Sequence, residues 1–391
     1  MAQNRRKSAS QPSLRFTEIR LENWRNFAST QVALQRRVFL VGPNASGKTN
    51  FLDVFRFLHD LVSVGGGFQE SVRKRRGVSS LRCLAARRYS DVAVTVTIGN
   101  DDTPAMWRYE LRFNQDKQRR PIIKKELVTR QEKEILHRPE EKDRGDPERL
   151  TQTFLEQVHA NQSFREVADF LSSTSYLHIV PQLVREPDRF VGKANDPFGG
   201  DFVEQIARKQ EKTRNIWLKR IREALQIAVP QLVDLELWRD TRGTPHLRAR
   251  YEHWRPQGAW QTEEEFSDGT LRLIGLLWSA LAGNGPLLLQ EPELSLYAKV
   301  ISCIPQMFAR LQRRTGRQVM ISTHSRDLLQ DEGIGLEELL LLEPQAEGTS
   351  IGTALDSGEI RALVDGGLPL AEAVIPKTSP NRPHQLTLFK D

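Results

Sequence analysis

Four consecutive apolar residues, Val38-Phe39-Leu40-Val41, run directly into Gly42-Pro43-Asn44-Ala45-Ser46-Gly47-Lys48-Thr49. An all-apolar run this short predicts a strand buried on both faces, and so a parallel sheet covered by helices. Beyond it, Phe51, Leu52, Val54, Phe55 and Leu58 form the apolar stripe of an amphipathic helix. Glycines at the first and sixth loop positions let the backbone curl until its N–H groups converge. With the positive end of the following helix they make a cradle for phosphate oxygens. Gly42, Pro43, Asn44, Ala45, Ser46, Gly47, Lys48, Thr49 and Asn50 are therefore the candidate nucleotide contacts. Lys48 has the reach and charge for β- and γ-phosphates, and the Thr49 hydroxyl is a candidate Mg2+ ligand.

The 391 residues allow two or three domains, or one large α/β domain with insertions. The net charge of +7 favours an anionic partner. Two cysteines, Cys83 and Cys303, exclude a disulfide framework and a thiolate zinc site. The N-terminus has a basic start with no apolar run behind it, so no secretory signal is expected. Leu273 to Gln290 is 18 residues without a charge, but Gly283-Asn284-Gly285-Pro286 interrupts it. That pattern predicts helix, turn and buried strand rather than a membrane span. The expected protein is soluble and cytoplasmic, with no membrane partner.

Leu14–Leu21 reads as a strand, and residues 64–90 as a loop with a short helix. Val92–Ile98, Trp107–Phe113 and Ile122–Val128 alternate between turns and predict an antiparallel meander. Residues 138–150 read as a charged loop, about 150–172 and 201–228 as helices, and 374–391 as an extended Pro-rich tail.

Three more segments carry polar chemistry. Leu287-Leu288-Leu289-Gln290-Glu291-Pro292-Glu293 is an apolar strand delivering polar side chains to the end of a sheet, where ligands bind in α/β folds. Ile321-Ser322-Thr323-His324-Ser325 repeats that pattern. Phe266-Ser267-Asp268-Gly269-Thr270 opens the Leu271–Leu281 helix. Taken singly each has an ordinary structural reading: acids at a strand end, a structural histidine, an N-cap at Ser267 or Asp268.

Taken in order, these segments resemble the ABC-type ATPase heads of the RecF, SMC and OLD group. The short RecF-like heads, with Ser-Asp-Gly-Thr where transporters have Ser-Gly-Gly, look most similar. The resemblance covers about residues 14–60 and 260–345. It implies an α/β P-loop NTPase fold: an ABC-ATPase head with a mostly parallel sheet, an antiparallel β lobe and a helical insertion. The division would be a disordered basic tail (1–13), the N-terminal part of the head with the antiparallel lobe (14–150), the helical insertion (151–260), the C-terminal part (261–373) and a flexible tail (374–391). By the same resemblance Gly42, Asn44, Gly47, Lys48 and Thr49 match the Walker A loop. Ser267, Asp268 and Gly269 match the signature that reads the γ-phosphate on an opposite subunit. Glu291 matches the glutamate that polarises the attacking water, and His324 the switch histidine. Leu294-Ser295-Leu296 matches the segment crossing the dimer interface, and Gln182 is a candidate lid glutamine near the metal. Gln290 stands where the family has an acid supporting Mg2+. A neutral amide orients water but brings no charge to the metal, so the substitution, natural or introduced, implies slow hydrolysis with ATP binding retained. Tyr297 replaces a common histidine and receives no role.

The resemblance implies ATP and Mg2+ as cofactors and a homodimer closed through ATP. Two functions follow: an ATP-gated ATPase acting on DNA in repair or anti-phage defence, or a nucleotide-dependent scaffold that hydrolyses little and holds a partner effector such as a nuclease. A transporter subunit fits poorly. Basic clusters at Arg5-Arg6-Lys7, Arg73-Lys74-Arg75-Arg76, Arg87-Arg88, Arg119-Arg120 and Lys124-Lys125 suit phosphate contacts with DNA, although acids interleaved at 126–146 fit solvated faces equally. Gln385-Leu386-Thr387-Leu388-Phe389 resembles the peptide that docks bacterial proteins on the sliding clamp; a terminal strand on its own domain, or a contact with another subunit, is the alternative.

Overall fold

A computed structural model describes residues 13–85, 90–192, 196, 198–254 and 258–378. The chain divides into two compact units. The clusters Arg5-Arg6-Lys7 and Arg87-Arg88 and the clamp-like Gln385, Leu386, Leu388 and Phe389 lie outside the described residues.

The first unit comprises 1–36, 57–172 and 311–318. Its framework is a six-stranded antiparallel sheet in the order β2-β1-β4-β5-β6-β7. The strands are β1 (Arg15–Trp24), β2 (Phe27–Ala33), β4 (Val92–Gly99), β5 (Trp107–Gln115), β6 (Pro121–Arg130) and β7 (Lys133–Arg138). Alternation sorts the two faces. On one face Ile19, Val96, Tyr109 and Val128 pair across successive strands, all fully buried. On the other, Arg112 pairs with Glu22 at 2.8 Å and Lys125 with Glu110 at 3.0 Å. The expected meander is present.

Three expectations for this unit need correction. Residues 138–150 are an ordered knot rather than a charged loop, because Arg138 is fully buried and its charge must be met. Its guanidinium forks onto Asp143 at 2.9 and 3.0 Å and reaches Glu126 at 3.0 Å. A short helix, Glu141–Gly145, and a 3-10 turn, Pro147–Thr151, wrap that centre. The helix expected from about 150 begins only at Arg165, and 64–90 holds two short helices, Phe68–Lys74 and Val78–Leu81.

The second unit comprises 37–56, 173–310 and 319–391. Its main sheet has the order β15-β14-β3-β13-β12-β8. The strands are β3 (Arg37–Val41), β8 (Ser175–Leu177), β12 (Leu287–Gln290), β13 (Val319–Thr323), β14 (Leu339–Gln345) and β15 (Gly348–Thr353). All neighbours run parallel except β15, which returns antiparallel along β14. Leu287, Leu288, Leu289 and Val319 are wholly buried, as strands covered on both faces require. The parallel direction sends the residues after β3, β12 and β13 to one end of the sheet.

The span read as a helical insertion, 151–260, is not helical throughout. It carries the helices Phe202–Arg208 and Glu211–Ala228 but also a second, three-stranded antiparallel sheet. Its strands are β9 (Leu232–Arg239), β10 (Pro245–Tyr251) and β11 (Ala259–Thr262). Alternation along β10 buries Leu247 and Ala249 and leaves Arg248 and Arg250 partly exposed. The reading of 374–391 as extended is also corrected: the helix Leu370–Thr378 occupies its first part. The uncharged stretch splits into the helix Asp268–Leu281 and strand β12, and no helix among the described residues is long and apolar enough to cross a membrane.

Candidate nucleotide site

The loop after β3 takes the backbone its sequence predicts. Ala45 and Gly47 adopt positive φ, 63° and 99°. A side chain at Gly42 would place its Cβ 2.5 Å from the Leu342 carbonyl, so the first loop position admits only glycine. Asn44, Ala45 and Thr49 are exposed, and the helix Lys48–Val62 starts at the loop's end. Lys48 is 5% exposed, and its Nζ donates to the carbonyls of Gly42 at 2.9 Å and Pro43 at 3.1 Å. Burial lowers its pKa to about 8, against the opposing pull of Glu291 and Glu293. The ammonium is thus held in the loop by two backbone carbonyls.

Glu291 follows β12 directly and sits at φ 44°, a left-handed conformation that is costly for a side-chain-bearing residue. Its N–H donates to the Ser322 carbonyl at 3.0 Å, which pins the turn against β13. Its Oε1 lies 3.4 Å from His324 Nε2. The His324 contact holds the Glu291 carboxyl below the usual range; burial opposes this, and the positive charge of Lys48 adds to the lowering. Glu291 thus faces Lys48 and His324, groups from the ends of two other strands.

Glu293 is a residue whose part the sequence did not disclose. It is 8% exposed, and Oε1 accepts from the Thr323 hydroxyl at 2.6 Å and the His324 N–H at 3.1 Å. Burial pushes its carboxyl pKa up. Glu293 therefore aims the backbone that carries His324.

The surroundings of Gln290 are likewise new. The Tyr176 hydroxyl, on β8, donates to Gln290 Oε1. His178 Nδ1 lies 3.5 Å from the Gln290 backbone carbonyl. Burial drives the His178 pKa down and raises the Tyr176 hydroxyl to about 12. The Arg56 guanidinium sits over the Tyr176 ring at 4.3 Å. A sequence signal existed: Tyr176 and His178 alternate on a short strand-like segment. Gln182 is exposed on the short helix Pro181–Val184 and makes none of the hydrogen bonds around Gln290.

Ser267 is the N-cap of the helix Asp268–Leu281; its Oγ accepts from Thr270 N–H at 3.2 Å. Asp268 is held by Arg185 at 2.6 Å, a partner not foreseen in the sequence. A Cβ on Gly269 would come within 2.5 Å of the Ser295 carbonyl, and Ser295 itself has φ 61°. The start of this helix and the segment Leu294-Ser295-Leu296 thus meet backbone to backbone, with Ser267 exposed and Leu294 39% exposed beside them.

A family model described as "AAA domain, putative AbiEii toxin, Type IV TA system" matches residues 37–331. A search of curated proteins finds no match. Among solved structures, an SMC head bound to the C-winged helix domain of ScpA aligns at TM-score 0.52 and 11% identity, covering 86% of this chain and 97% of that one. An SMC head with an extended coiled coil from Pyrococcus furiosus, bound to the C-terminal domain of ScpA, aligns at TM-score 0.49 and 9% identity, covering 90% and 100%. The SMC head domain from Thermotoga maritima aligns at 0.45 and 13%, covering 87% and 98%. The first of these shows the fold: that of an SMC head, of mixed α/β construction.

Proposed function

We propose a function from one premise: the chain belongs to the AAA-domain family whose model matches residues 37–331. It is an ATP-gated, homodimerising ATPase of the short RecF-like kind. The observation that carries this reading is the convergence of Lys48, Glu291 and His324 around one anion cradle.

Each group has a task. Residues 42–50 wrap the phosphates, and Lys48 trades two carbonyls for β- and γ-oxygens. Glu291, kept ionised, accepts a hydrogen bond from the attacking water, and His324 contacts the γ-phosphate. Ser267 and Gly269 of one subunit close over nucleotide held by the other. An Mg2+ ion would be held by the Thr49 hydroxyl together with phosphate oxygens, where it neutralises charge on the triphosphate. Gln290 brings that ion no negative charge.

DNA is the proposed partner, supported by the net charge of +7. The basic clusters within the described residues support it less. Arg73 is paired to Glu70, buried Arg75 to Asp60, Arg120 to Asp116 and Glu148, and Lys125 to Glu110. Repair or anti-phage defence is the setting proposed, and sliding-clamp docking through Gln385, Leu386, Leu388 and Phe389 is proposed on sequence alone. A second reading, a low-turnover scaffold holding an effector protein, is favoured by Gln290.

Steady-state ATP turnover with and without duplex DNA, beside Glu291→Gln, tests the proposal. DNA-stimulated turnover that Glu291→Gln abolishes supports the ATPase. Tight ATP binding with a stable ATP-bound oligomer and no turnover supports the scaffold. Absence of ATP binding overturns both.

A further inference from the structure

Gln290 has one acceptor oxygen and one NH2 donor group on its side chain. The Tyr176 network decides which end is available. The Arg56 guanidinium lies over the Tyr176 ring, 4.3 Å from its centre. The Tyr176 hydroxyl hydrogen needs an acceptor. Gln290 Oε1 is that acceptor. The amide nitrogen of Gln290 has no hydrogen-bond partner among the described residues.

We infer that Tyr176 is a positioning residue that locks Gln290 as a hydrogen-bond donor toward bound nucleotide, so that ATP binding depends little on divalent metal. The inference deepens the nucleotide reading above and rests on it. An acid at position 290 would accept from metal-bound water and repel a bare triphosphate. A locked amide does the reverse: its N–H groups suit phosphate oxygens, and its oxygen is already engaged. The Thr49 hydroxyl still fits the metal, but Gln290 does not fit as support for its water shell. Arg56 completes the device, because its salt bridge to Asp53, 3.7 Å away on the same helix, keeps the guanidinium over the tyrosine.

The readout is a ratio of equilibrium constants, Kd for ATP in EDTA over Kd for ATP with Mg2+, measured on the full chain with a fluorescent ATP analogue. The unmodified chain should give a ratio near one. Tyr176→Phe keeps the ring under Arg56 and frees the amide to turn its oxygen outward. The ratio should then rise about fivefold, the worth of one hydrogen bond. Gln290→Glu should raise it about tenfold or more, by weakening binding in EDTA. A merely structural effect of Tyr176→Phe would shift both constants together and leave the ratio unchanged, which would overturn the inference. Failure to bind ATP under either condition would overturn the nucleotide reading with it. ATP binding with a ratio equally high in all three proteins would overturn the inference alone.

Discussion

The Glu293 carboxylate accepts from the Thr323 hydroxyl at 2.6 Å, which ties the turn after β12 to the end of β13. The same oxygen takes the His324 N–H, so one buried acid fixes the backbone of the residue proposed to touch the γ-phosphate. Glu293→Ala would leave the Thr323 hydroxyl hydrogen and the His324 N–H without their acceptor, at a cost of about 1–3 kcal/mol. Turnover should fall more than ATP affinity, because Lys48 and its loop are untouched. Glu293→Gln keeps an acceptor oxygen and should lose less than about 1 kcal/mol. Urea unfolding and steady-state kinetics on both variants check this; equal loss in the two would mean the charge, not the acceptor, is what matters.

Lys48 sets a pH limit on binding. Burial holds its pKa at about 8 in the free protein. A bound triphosphate favours the charged ammonium and raises that value. The sign follows: below about 8 the lysine is already charged and affinity is level, and above it binding must also take up a proton. Affinity should drop about tenfold from pH 7 to pH 9. Calorimetry in buffers of different ionisation enthalpy should show proton uptake near pH 8. A flat profile from 7 to 9 would place the lysine pKa near its ordinary value.

Much of this arrangement was legible in local sequence. The phosphate loop, the two short apolar strands after it and the Ser267 cap are written in contiguous residues, where backbone conformation and hydrophobic pattern are decided by neighbours in the chain. The partners of Glu293, Tyr176, Arg56 and Arg185 were not legible, because they lie on elements far apart in sequence. Tyr176 reaches Gln290 only because β8 pairs in parallel with β12, setting Tyr176 beside Leu288. Residues 138–150 misled for a related reason. A run rich in Arg, Asp and Glu reads as solvated, and nothing local reveals that Arg138 is buried among the acids it pairs with. The sheet β9-β10-β11 was absorbed into a helical reading because two strong helical patterns precede it.

Gly269 should control assembly rather than nucleotide capture. An added methyl would press on the Ser295 carbonyl at 2.5 Å, and that contact is backbone, which cannot swing aside. Gly269→Ala should therefore displace Leu294-Ser295-Leu296 and block the ATP-dependent dimer while leaving monomeric ATP binding in place. Light scattering with ATP, in a Glu291→Gln background that holds nucleotide uncleaved, reads the outcome. A dimer of undiminished stability would remove this surface from the proposed interface.

Arg138 offers the clearest stability test. Its guanidinium, fully buried, answers Asp143 and Glu126 and lies 3.8 Å from the centre of the Phe154 ring. Arg138→Met keeps much of the packing but takes the paired cation from buried Glu126 and leaves Asp143 to Arg149, and should cost about 3–5 kcal/mol. The pH dependence separates charge from packing. Burial pushes the Asp143 carboxyl up, but the hydrogen bonds from Arg138, the Glu140 N–H and Arg149 outweigh it and hold the carboxyl well below its usual 3.8. A depressed carboxylate contributes stability that is present above its unfolded value and lost as pH falls through the folded one. Burial raises Glu126 instead, so that acid gains nothing from ionisation as pH climbs. The gap between the unmodified chain and Arg138→Met should therefore be widest near about pH 7 and narrow toward about pH 3, measured by urea unfolding at both. A gap that stays constant would assign the role of Arg138 to its stacking on Phe154 rather than to its charge.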